Sequence, residues 1–261
     1  MDLDLTGRHA LVCGASEGIG RATSQELALL GADVTVLARR EDALRTVADG
    51  LHRSGAQRHG VLVADVSQGD ALRAAVDALV AERPVHVLVN NTGGPPGGAV
   101  QDARVAAFLD AFGRHLVANH LLAQAVLPAM RAAGFGRIVN VVSTSVREPI
   151  AGLGVSNTIR GAVASWAKTL SREVAAQGIT VNNVLPGFTE TGRIAQIVRD
   201  KMDKDGASED TVRAAMRAGT PAARFAQPHE VGAVVAFLCS PAAGYVNGVS
   251  LAVDGGRMAS I

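Results

Sequence analysis

Short apolar runs alternate with longer amphipathic segments along almost the whole chain. The runs are rich in Val, Leu and Ile without strict alternation, which is typical of parallel strands covered on both faces. Seven segments are predicted as such strands: residues 9–13, 33–38, 60–64, 85–89, 137–142, 179–185 and 249–254. Helices are predicted between them, for example over residues 19–30, 68–82 and 155–177. The pattern predicts an α/β fold with a doubly wound parallel sheet and right-handed crossovers.

One interval, residues 190–220, places helical, charged sequence between two predicted strands. It is too long for an ordinary connection, and such inserts at the carboxyl edge of a sheet are often lids. We expect a substrate lid here, with a pair of surface helices as the alternative. Its apolar residues are Ile194, Ile197, Val198, Met202, Val212 and Met216. They are consistent with an acyl substrate, but they could equally pack the lid itself. No linker or repeat divides the chain, so residues 1–261 are predicted to form one domain.

Composition narrows the class of partner. A chain of 261 residues can bury a full core, and a net charge of +1 does not indicate a surface for nucleic acid or acidic membranes. Cys13 and Cys239 lack metal-type spacing, so no metal site is predicted, and they suit a reducing compartment. The segment MDLDLTGRH shows no signal peptide, and no apolar run reaches the roughly 20 residues of a membrane helix. We expect a cytoplasmic protein.

The first predicted strand leads into CGASEGIGRAT, where Gly14, Gly18 and Gly20 have the spacing G-x-x-x-G-x-G. Glycines at a strand-to-helix turn let backbone N–H groups approach a pyrophosphate at the positive end of the helix. The loop predicts a dinucleotide site, and a tight turn without a ligand is the alternative.

The second predicted strand ends in VLARRED. An NAD-selective site needs a carboxylate at this point for the ribose 2′-OH, and Ala38 occupies the place instead. Arg39 and Arg40 follow, which favours the 2′-phosphate of NADP. Two features weaken this interpretation: arginines are common at solvated helix starts, and the anionic Glu17 would repel the phosphate.

Two polar residues follow the third and fourth predicted strands. Asp65 could contact the nucleotide, or it could form an Asx turn with Ser67 as the helix cap. Asn90 could simply pin the strand ends.

The stretch GVSNTIRGAVASW, residues 154–166, predicts the start of a helix, with Ser156, Asn157 and Thr158 as capping residues. Ser156 and Arg160 are four residues apart and therefore share one helix face. They form either an active-site pair or a cap beside a surface cation.

Together these segments resemble the short-chain dehydrogenase/reductase family over nearly the whole chain. CGASEGIG is similar to its T-G-x-x-x-G-x-G motif, with Cys13 in place of Thr. Further similar motifs are ADV at 64–66, NNTG at 90–93, LPGFTET at 185–191 and VDGG at 253–256. The closest resemblance is to 3-oxoacyl-(acyl carrier protein) reductases and their divergent relatives, among which a subgroup has Ser and Arg in place of the catalytic Tyr and Lys.

The resemblance implies a Rossmann-type fold with a seven-stranded sheet and helices on both faces. It also implies NAD(P)-linked carbonyl or alcohol chemistry, and with the arginines above the expected cofactor is NADP (NADPH). The implied cofactor site consists of Gly14, Ser16, Gly18, Ile19, Gly20, Arg39, Arg40, Asp65, Val66, Asn91, Gly93, Arg160, Pro186, Gly187 and Thr191.

The family's catalytic Asn, Ser, Tyr and Lys are only partly present. Ser143 matches the Ser, whereas Ser156, Arg160 and His115 stand where the Tyr, Lys and Asn are expected. The implied catalytic set is therefore altered. The chain's one tyrosine, Tyr245, lies in a segment that resembles the family's packing stretch before the last strand, which implies a structural role.

The substitutions change the expected chemistry. A serine hydroxyl is far less acidic than a phenol, whereas Arg160 stays charged and can stabilise a developing oxyanion. Ser143 and Ser156 can donate hydrogen bonds to the same oxygen. His115, with an ordinary pKa near 6.5, is the candidate proton donor through water; a solvated helix histidine or a structural replacement for the Asn is the alternative.

The leading hypothesis is an NADP-dependent oxidoreductase that reduces a carbonyl, with a 3-oxoacyl thioester as one candidate substrate. The alternative is an NADP(H)-binding sensor or assembly protein that has lost the chemistry. A transferase using another nucleotide conflicts with NNTG and LPGFTET. A homotetramer is expected, with the helices around residues 104–133 and 155–177 pairing across its interfaces.

Overall fold

The computed structural model describes residues 1–260 and contains one sheet of seven parallel strands. The strands are β1 (His9–Cys13), β2 (Asp33–Ala38), β3 (Gly60–Val63), β4 (Val87–Asn90), β5 (Gly136–Val141), β6 (Ile179–Pro186) and β7 (Ser250–Val253). Their spatial order is β3-β2-β1-β4-β5-β6-β7. The predicted doubly wound α/β fold is confirmed, and each strand lies within two residues of its predicted position.

The strand order reverses at β1, which pairs with β2 on one side and with β4 on the other. Because all strands are parallel, their carboxyl ends meet at one edge of the sheet. Ligands of open α/β sheets bind in the crevice outside such a reversal. The fold therefore brings the segments that follow β1, β4 and β5 to one place.

Nine α-helices connect and flank the strands: α1 (Gly18–Leu29), α2 (Glu41–Asp49), α3 (Gly69–Glu82), α4 (Val105–Phe112), α5 (Ala118–Ala133), α6 (Gly154–Val174), α7 (Gly192–Asp205), α8 (Glu209–Ala218) and α9 (Pro228–Cys239), counted within residues 1–260. Helices α1, α2 and α9 cover one face of the sheet, and α3, α5 and α6 cover the other. In β1, Val12 packs toward the first group and Leu11 toward the second. This two-sided burial explains why the strands are apolar throughout.

Helix α6 has its N-cap three residues before the first of the predicted capping residues, Ser156. Its N-cap is Leu153, so Ser156, Asn157 and Thr158 lie inside the helix and the capping interpretation is wrong. The Asn157 side chain donates to the carbonyl of Ile150 at 2.9 Å, which closes the preceding turn. The Thr158 hydroxyl donates back to the Gly154 carbonyl.

A π-helical turn, Gly113–Val117, joins α4 to α5. Such turns insert an extra residue into a helix and occur frequently at functional sites. His115 lies in this turn and is buried. Nothing in the hydrophobic pattern of the sequence indicated the turn.

The interval at 190–220 forms the pair α7 and α8, which has a small core of its own. This core contains Ile194, Val198, Val212, Met216 and Phe225. Most of the apolar residues predicted in this interval thus pack the helix pair itself. This was the alternative to their contact with an acyl substrate. Within residues 1–260, no helix combines the length and apolarity needed to cross a bilayer.

Candidate active site

A cleft of about 1760 Å³ lies at the carboxyl ends of the strands, between them and α7. Most residues of the expected site line it: Gly14, Ser16, Gly18, Ile19, Arg39, Arg40, Asp65, Val66, Asn91, Gly93, Ser143, Ser156, Arg160, Pro186, Gly187 and Thr191. Two expected residues, Gly20 and His115, do not line the cleft. The fold therefore brings together segments that are up to 177 positions apart, from Gly14 to Thr191.

The glycine loop after β1 is closely packed. Gly14 has a φ of +60°, and a Cβ on it would overlap the Asn91 carbonyl. The Asn91 side chain donates to the Gly14 carbonyl at 3.2 Å, which ties the loop to the end of β4. A Cβ on Gly20 would overlap the Gly14 carbonyl. Gly20 thus permits helix–loop packing and does not face the cleft, which corrects its expected place among the cofactor contacts.

The N-terminal end of α1 opens into the cleft at Gly18 and Ile19. Its first turn contains no acidic residue, and its N-cap, Glu17, makes no side-chain cap bond. The first backbone N–H groups of a helix have no partner within the helix, so they can donate to a bound anion. These residues fit a dinucleotide pyrophosphate.

The two arginines after β2 differ in their surroundings. Arg40 forms an ion pair with Glu17 at 3.2 Å, and both side chains are exposed. Arg39 also lines the cleft, and it has no ion pair within the described residues 1–260. The anion in the glycine loop is therefore neutralised by Arg40, and Arg39 is the free cation at this end of the cleft.

Asp65 forms the Asx turn that was one of its two interpretations. Its Oδ1 accepts from the Ser67 backbone N–H at 2.9 Å and from the Ser67 hydroxyl at 2.8 Å. These hydrogen bonds hold the pKa of Asp65 below its ordinary value. Ser67 is not the helix cap, because α3 begins after Gln68. Asp65 and Val66 both line the cleft, so a contact with the nucleotide stays a prediction.

Asn90 belongs to a row of hydrogen-bonded side chains, three amides and one serine hydroxyl, that crosses four strands. Its amide donates to Oδ1 of Asn140 at 2.8 Å, and that of Asn140 donates to Oδ1 of Asn183 at 3.0 Å. The amide of Asn183 donates to the Ser250 hydroxyl at 3.2 Å. The row pins neighbouring strands together just below the cleft, as one interpretation of Asn90 anticipated.

Arg160 and Ser156 lie on the face of α6 that lines the cleft. Arg160 is 8% exposed, and its Nη1 and Nη2 donate to the carbonyls of Val141 at 3.0 Å and Thr92 at 3.1 Å. Burial and the charge of Arg193 lower the pKa of Arg160 to about 10, so the group stays charged at neutral pH. The interpretation of this pair as a cap beside a surface cation is wrong.

Ser143 follows β5 in extended conformation and also lines the cleft. Its hydroxyl oxygen accepts from the Ser145 backbone N–H at 3.1 Å, which orients the side chain. The hydroxyl proton remains available for donation. Two serine hydroxyls and one guanidinium therefore line the same cleft and can act as hydrogen-bond donors.

His115 lies behind the wall of the cleft. Its Nδ1 is 2.6 Å from the Thr92 hydroxyl, and its side chain is buried. Burial, with the charges of Arg160 and Arg114, lowers the pKa of His115 to about 3. The ring is thus neutral at physiological pH. The expectation that His115 is a proton donor with a pKa near 6.5 is corrected, because burial lowers this pKa. The interpretation that remains is structural.

The low pKa of His115 makes stability depend on pH. Between pH 6.5 and about 3 the unfolded chain binds a proton here that the folded chain does not, so stability falls as pH falls. At pH 5 the loss is about 2 kcal/mol. We expect His115→Asn to reduce the difference in unfolding free energy between pH 8 and pH 5 by that amount. Urea unfolding at both pH values measures it, with the exposed His229→Asn as the control. An unchanged pH dependence in His115→Asn would contradict the low pKa.

Arg193 also lines the cleft and was not among the site residues predicted from the sequence. Arg193, in the first turn of α7, extends to the loop after β4 and donates to the Pro95 carbonyl at 2.9 Å. In the sequence, Arg193 was one of many charges in a helical interval, and only its distance of two residues from Thr191 indicated a place in the site.

Tyr245 lies outside the cleft with a fully exposed side chain, so it is not packed within this chain, contrary to expectation.

Comparison with known proteins finds a family that matches most of the chain. The family described as Enoyl-(Acyl carrier protein) reductase matches residues 14–257. The chain is 34% identical over 255 residues to a 3-oxoacyl-(acyl-carrier-protein) reductase of Vibrio cholerae, which covers 97% of this chain and 98% of that protein.

Two solved structures share the fold. L-sorbose reductase from Gluconobacter frateurii, complexed with NADPH and L-sorbose, has a TM-score of 0.93 at 28% identity, and the match covers 100% of both chains. A variant of actinorhodin polyketide ketoreductase with NADPH has a TM-score of 0.90 at 34% identity, covering 97% of this chain and 98% of the other. With its parallel sheet, its glycine loop and these matches, the chain belongs to the short-chain dehydrogenase/reductase family of oxidoreductases.

Proposed function

We propose that this protein reduces a carbonyl substrate with NADPH, using Ser143, Ser156 and Arg160 in place of the family's usual acid. The observation that supports the proposal is that these three residues line one cleft with the glycine loop. Ser143 follows β5, and Ser156 and Arg160 lie four residues apart on α6. The cofactor-bound structures of related reductases support NADPH as the partner.

Bound NADPH would supply the hydride, and the chain's own residues act on the carbonyl oxygen. The hydroxyls of Ser143 and Ser156 donate hydrogen bonds to that oxygen. The Arg160 guanidinium stabilises the negative charge that develops there, and donors of this type are worth about 3 kcal/mol in a transition state. Because His115 is neutral and buried, the oxygen takes its proton from water in the cleft. The products are the alcohol and oxidised cofactor.

The test is an assay of NADPH oxidation against ketones, aldehydes and 3-oxoacyl thioesters. The thioesters belong in the panel because the relative in Vibrio cholerae is a 3-oxoacyl-(acyl-carrier-protein) reductase. Turnover of any of these carbonyl compounds supports the proposal. A protein that binds NADPH and oxidises it with none of them would contradict it.

A second candidate function is an NADP(H)-binding sensor or assembly protein that has lost the chemistry. Its support is the depressed pKa of His115, which leaves the altered catalytic set without a group that titrates near neutral pH. The same NADPH assay separates the two candidates.

The cofactor preference gives a separate prediction. We expect NADP(H) to bind more tightly than NAD(H), because Arg39 is a free cation and Ala38 offers no carboxylate. Arg39→Ala should weaken NADPH binding by about tenfold or more without affecting NADH, in line with charge-assisted hydrogen bonds. Arg40→Ala is the matched control, since Arg40 is already paired with Glu17. Equal affinities for NADPH and NADH in the wild type would reject the assignment.

The assembly expected from the resemblance is a homotetramer. Support comes from α4, where Val105, Leu109 and Phe112 recur at helical spacing and expose 74%, 69% and 42% of their surface. A stripe of this kind is typical of a surface covered by a partner. Leu109→Asp is therefore expected to dissociate the tetramer by light scattering at micromolar concentration. Leu29→Asp, at an exposed apolar position on α1, is the control. A wild-type monomer would contradict the prediction.

A further inference from the structure

Two guanidinium groups converge beside Gly94 in the loop after β4. The Nη2 atoms of Arg193 and Arg160 lie 3.6 Å and 3.7 Å from the position that a Cβ on Gly94 would take. One arginine comes from α7 and the other from α6, and both line the cleft. Because Gly94 has no side chain, the space beside both guanidinium groups is open.

Neither arginine has an acidic partner within residues 1–260. Arg160 donates to two backbone carbonyls, and Arg193 donates to the Pro95 carbonyl. The charge of Asp200 favours the protonated form of Arg193, but its Oδ1 accepts from Gln196 at 2.7 Å and it forms no ion pair with Arg193. Two positive charges are thus placed near each other, with backbone carbonyls as hydrogen-bond acceptors and without an ion pair to an acidic residue.

Such an arrangement is unfavourable for the folded chain, because like charges repel and both groups are partly withdrawn from water. Each guanidinium has five N–H donors in a planar fork, and the backbone carbonyls use only some of them. The remaining donors match the two oxygens of a carboxylate, which would also neutralise the repulsion.

The other anionic groups expected in this cleft have binding residues elsewhere. The pyrophosphate fits the N-terminal end of α1, and Arg39 is the free cation at the end of β2. Arg160 and Arg193 instead line the cleft together with Ser143 and Ser156, the serines of the proposed reaction. The anion that they suit is therefore part of the substrate.

We infer that the substrate is a carbonyl compound that bears a carboxylate, and that Arg193 together with Arg160 binds this carboxylate. The inference rests on the proposed function, since it names the substrate class of the same site. Arg193 is a specificity residue carried by α7, so the helix that forms the expected lid also selects the substrate.

The test compares keto acids with their methyl esters, which have the same ketone and no charge. The probes are pyruvate, acetoacetate and levulinate, because the distance from the ketone to the carboxylate increases along this series. For at least one pair, kcat/KM of the acid is expected to exceed that of the ester by about tenfold to a hundredfold. Calorimetric titration of the same pairs into the protein with excess NADP⁺ gives the binding preference without turnover.

Variants of Arg193 distinguish the effect of its charge from an effect on folding. Arg193→Gln should lower kcat/KM for the acid to about the value for the ester. Arg193→Lys should retain part of the preference for the acid, because the charge remains. The matched control is Arg199→Gln, an exposed arginine on α7 that does not line the cleft. NADPH affinity should be the same in all these proteins.

The outcomes distinguish the inference from the proposed function. Selective binding of an acid, lost in Arg193→Gln but without turnover in the wild type, would support the carboxylate site and reject the reductase. Turnover with equal rates for acid and ester would keep the reductase and overturn the inference. Loss of NADPH affinity in Arg193→Gln would also overturn it, because Arg193 would then be a cofactor residue. So would the absence of any preference for an acid in both assays.

Discussion

Arg160→Met is expected to lower kcat/KM for NADPH-dependent carbonyl reduction by about a hundredfold. The guanidinium is the only buried cation proposed to act on the developing oxyanion, and the loss of one such donor costs about 3 kcal/mol in the transition state. Steady-state NADPH oxidation with the best substrate of the panel measures the effect. Arg160→Lys keeps a charge at the site, so it should retain more activity than Arg160→Met.

The unfolding free energy of Arg160→Met has to be measured as well, because Arg160 also stabilises the folded chain. Its removal leaves the carbonyls of Val141 and Thr92 without these donors, which is expected to cost about 1–3 kcal/mol of unfolding free energy. Arg172→Met, at an exposed position of α6, is the control for both quantities. Wild-type kcat/KM in Arg160→Met would exclude the guanidinium from the reaction.

Restoring the family's residues gives the second large effect. The triple variant Ser156→Tyr, Arg160→Lys and His115→Asn is expected to be at least about tenfold less active than the wild type. The tyrosine ring would occupy cleft space that Ser156 leaves open, and the single amine of lysine cannot reproduce the fork that bonds two carbonyls. His115→Asn removes the contact with the Thr92 hydroxyl.

The opposite result would also be informative. A wild type that is inert toward every carbonyl tested, beside an active triple variant, would identify a reductase that has lost its chemistry. The three single variants and the NADPH affinity of each protein are the controls. They show whether a loss of rate arises in the chemistry or in cofactor binding.

The sheet could be predicted from the sequence because strands buried on both faces leave continuous apolar runs. Helix ends were less predictable, since good capping residues such as Ser156 also occur inside a first turn. Most of the site residues that the matching motifs indicated do line the cleft. The finer roles within the site, the tetramer and the cytoplasmic location stay predictions.

Other features depend on contacts that a linear pattern does not contain. The pKa of His115 depends on burial in a π-helical turn and on the charge of Arg160, which is far away in sequence. Arg193 contacts Pro95 across 98 positions of the chain. A surface charge and a buried one look alike in a helical interval, so Arg193 could not be distinguished from its neighbours.

The amide row beneath the cleft has a single polarity. Each side-chain nitrogen, from Asn90 through Asn140 to Asn183, points toward the oxygen on the next strand. Turning Asn140 alone would bring two oxygens together on one side and two nitrogens on the other. Because the orientation of each amide is decided by its neighbours, these four strand positions are coupled: an apolar residue at Asn140 would leave the Asn90 nitrogen and the Asn183 oxygen without these partners.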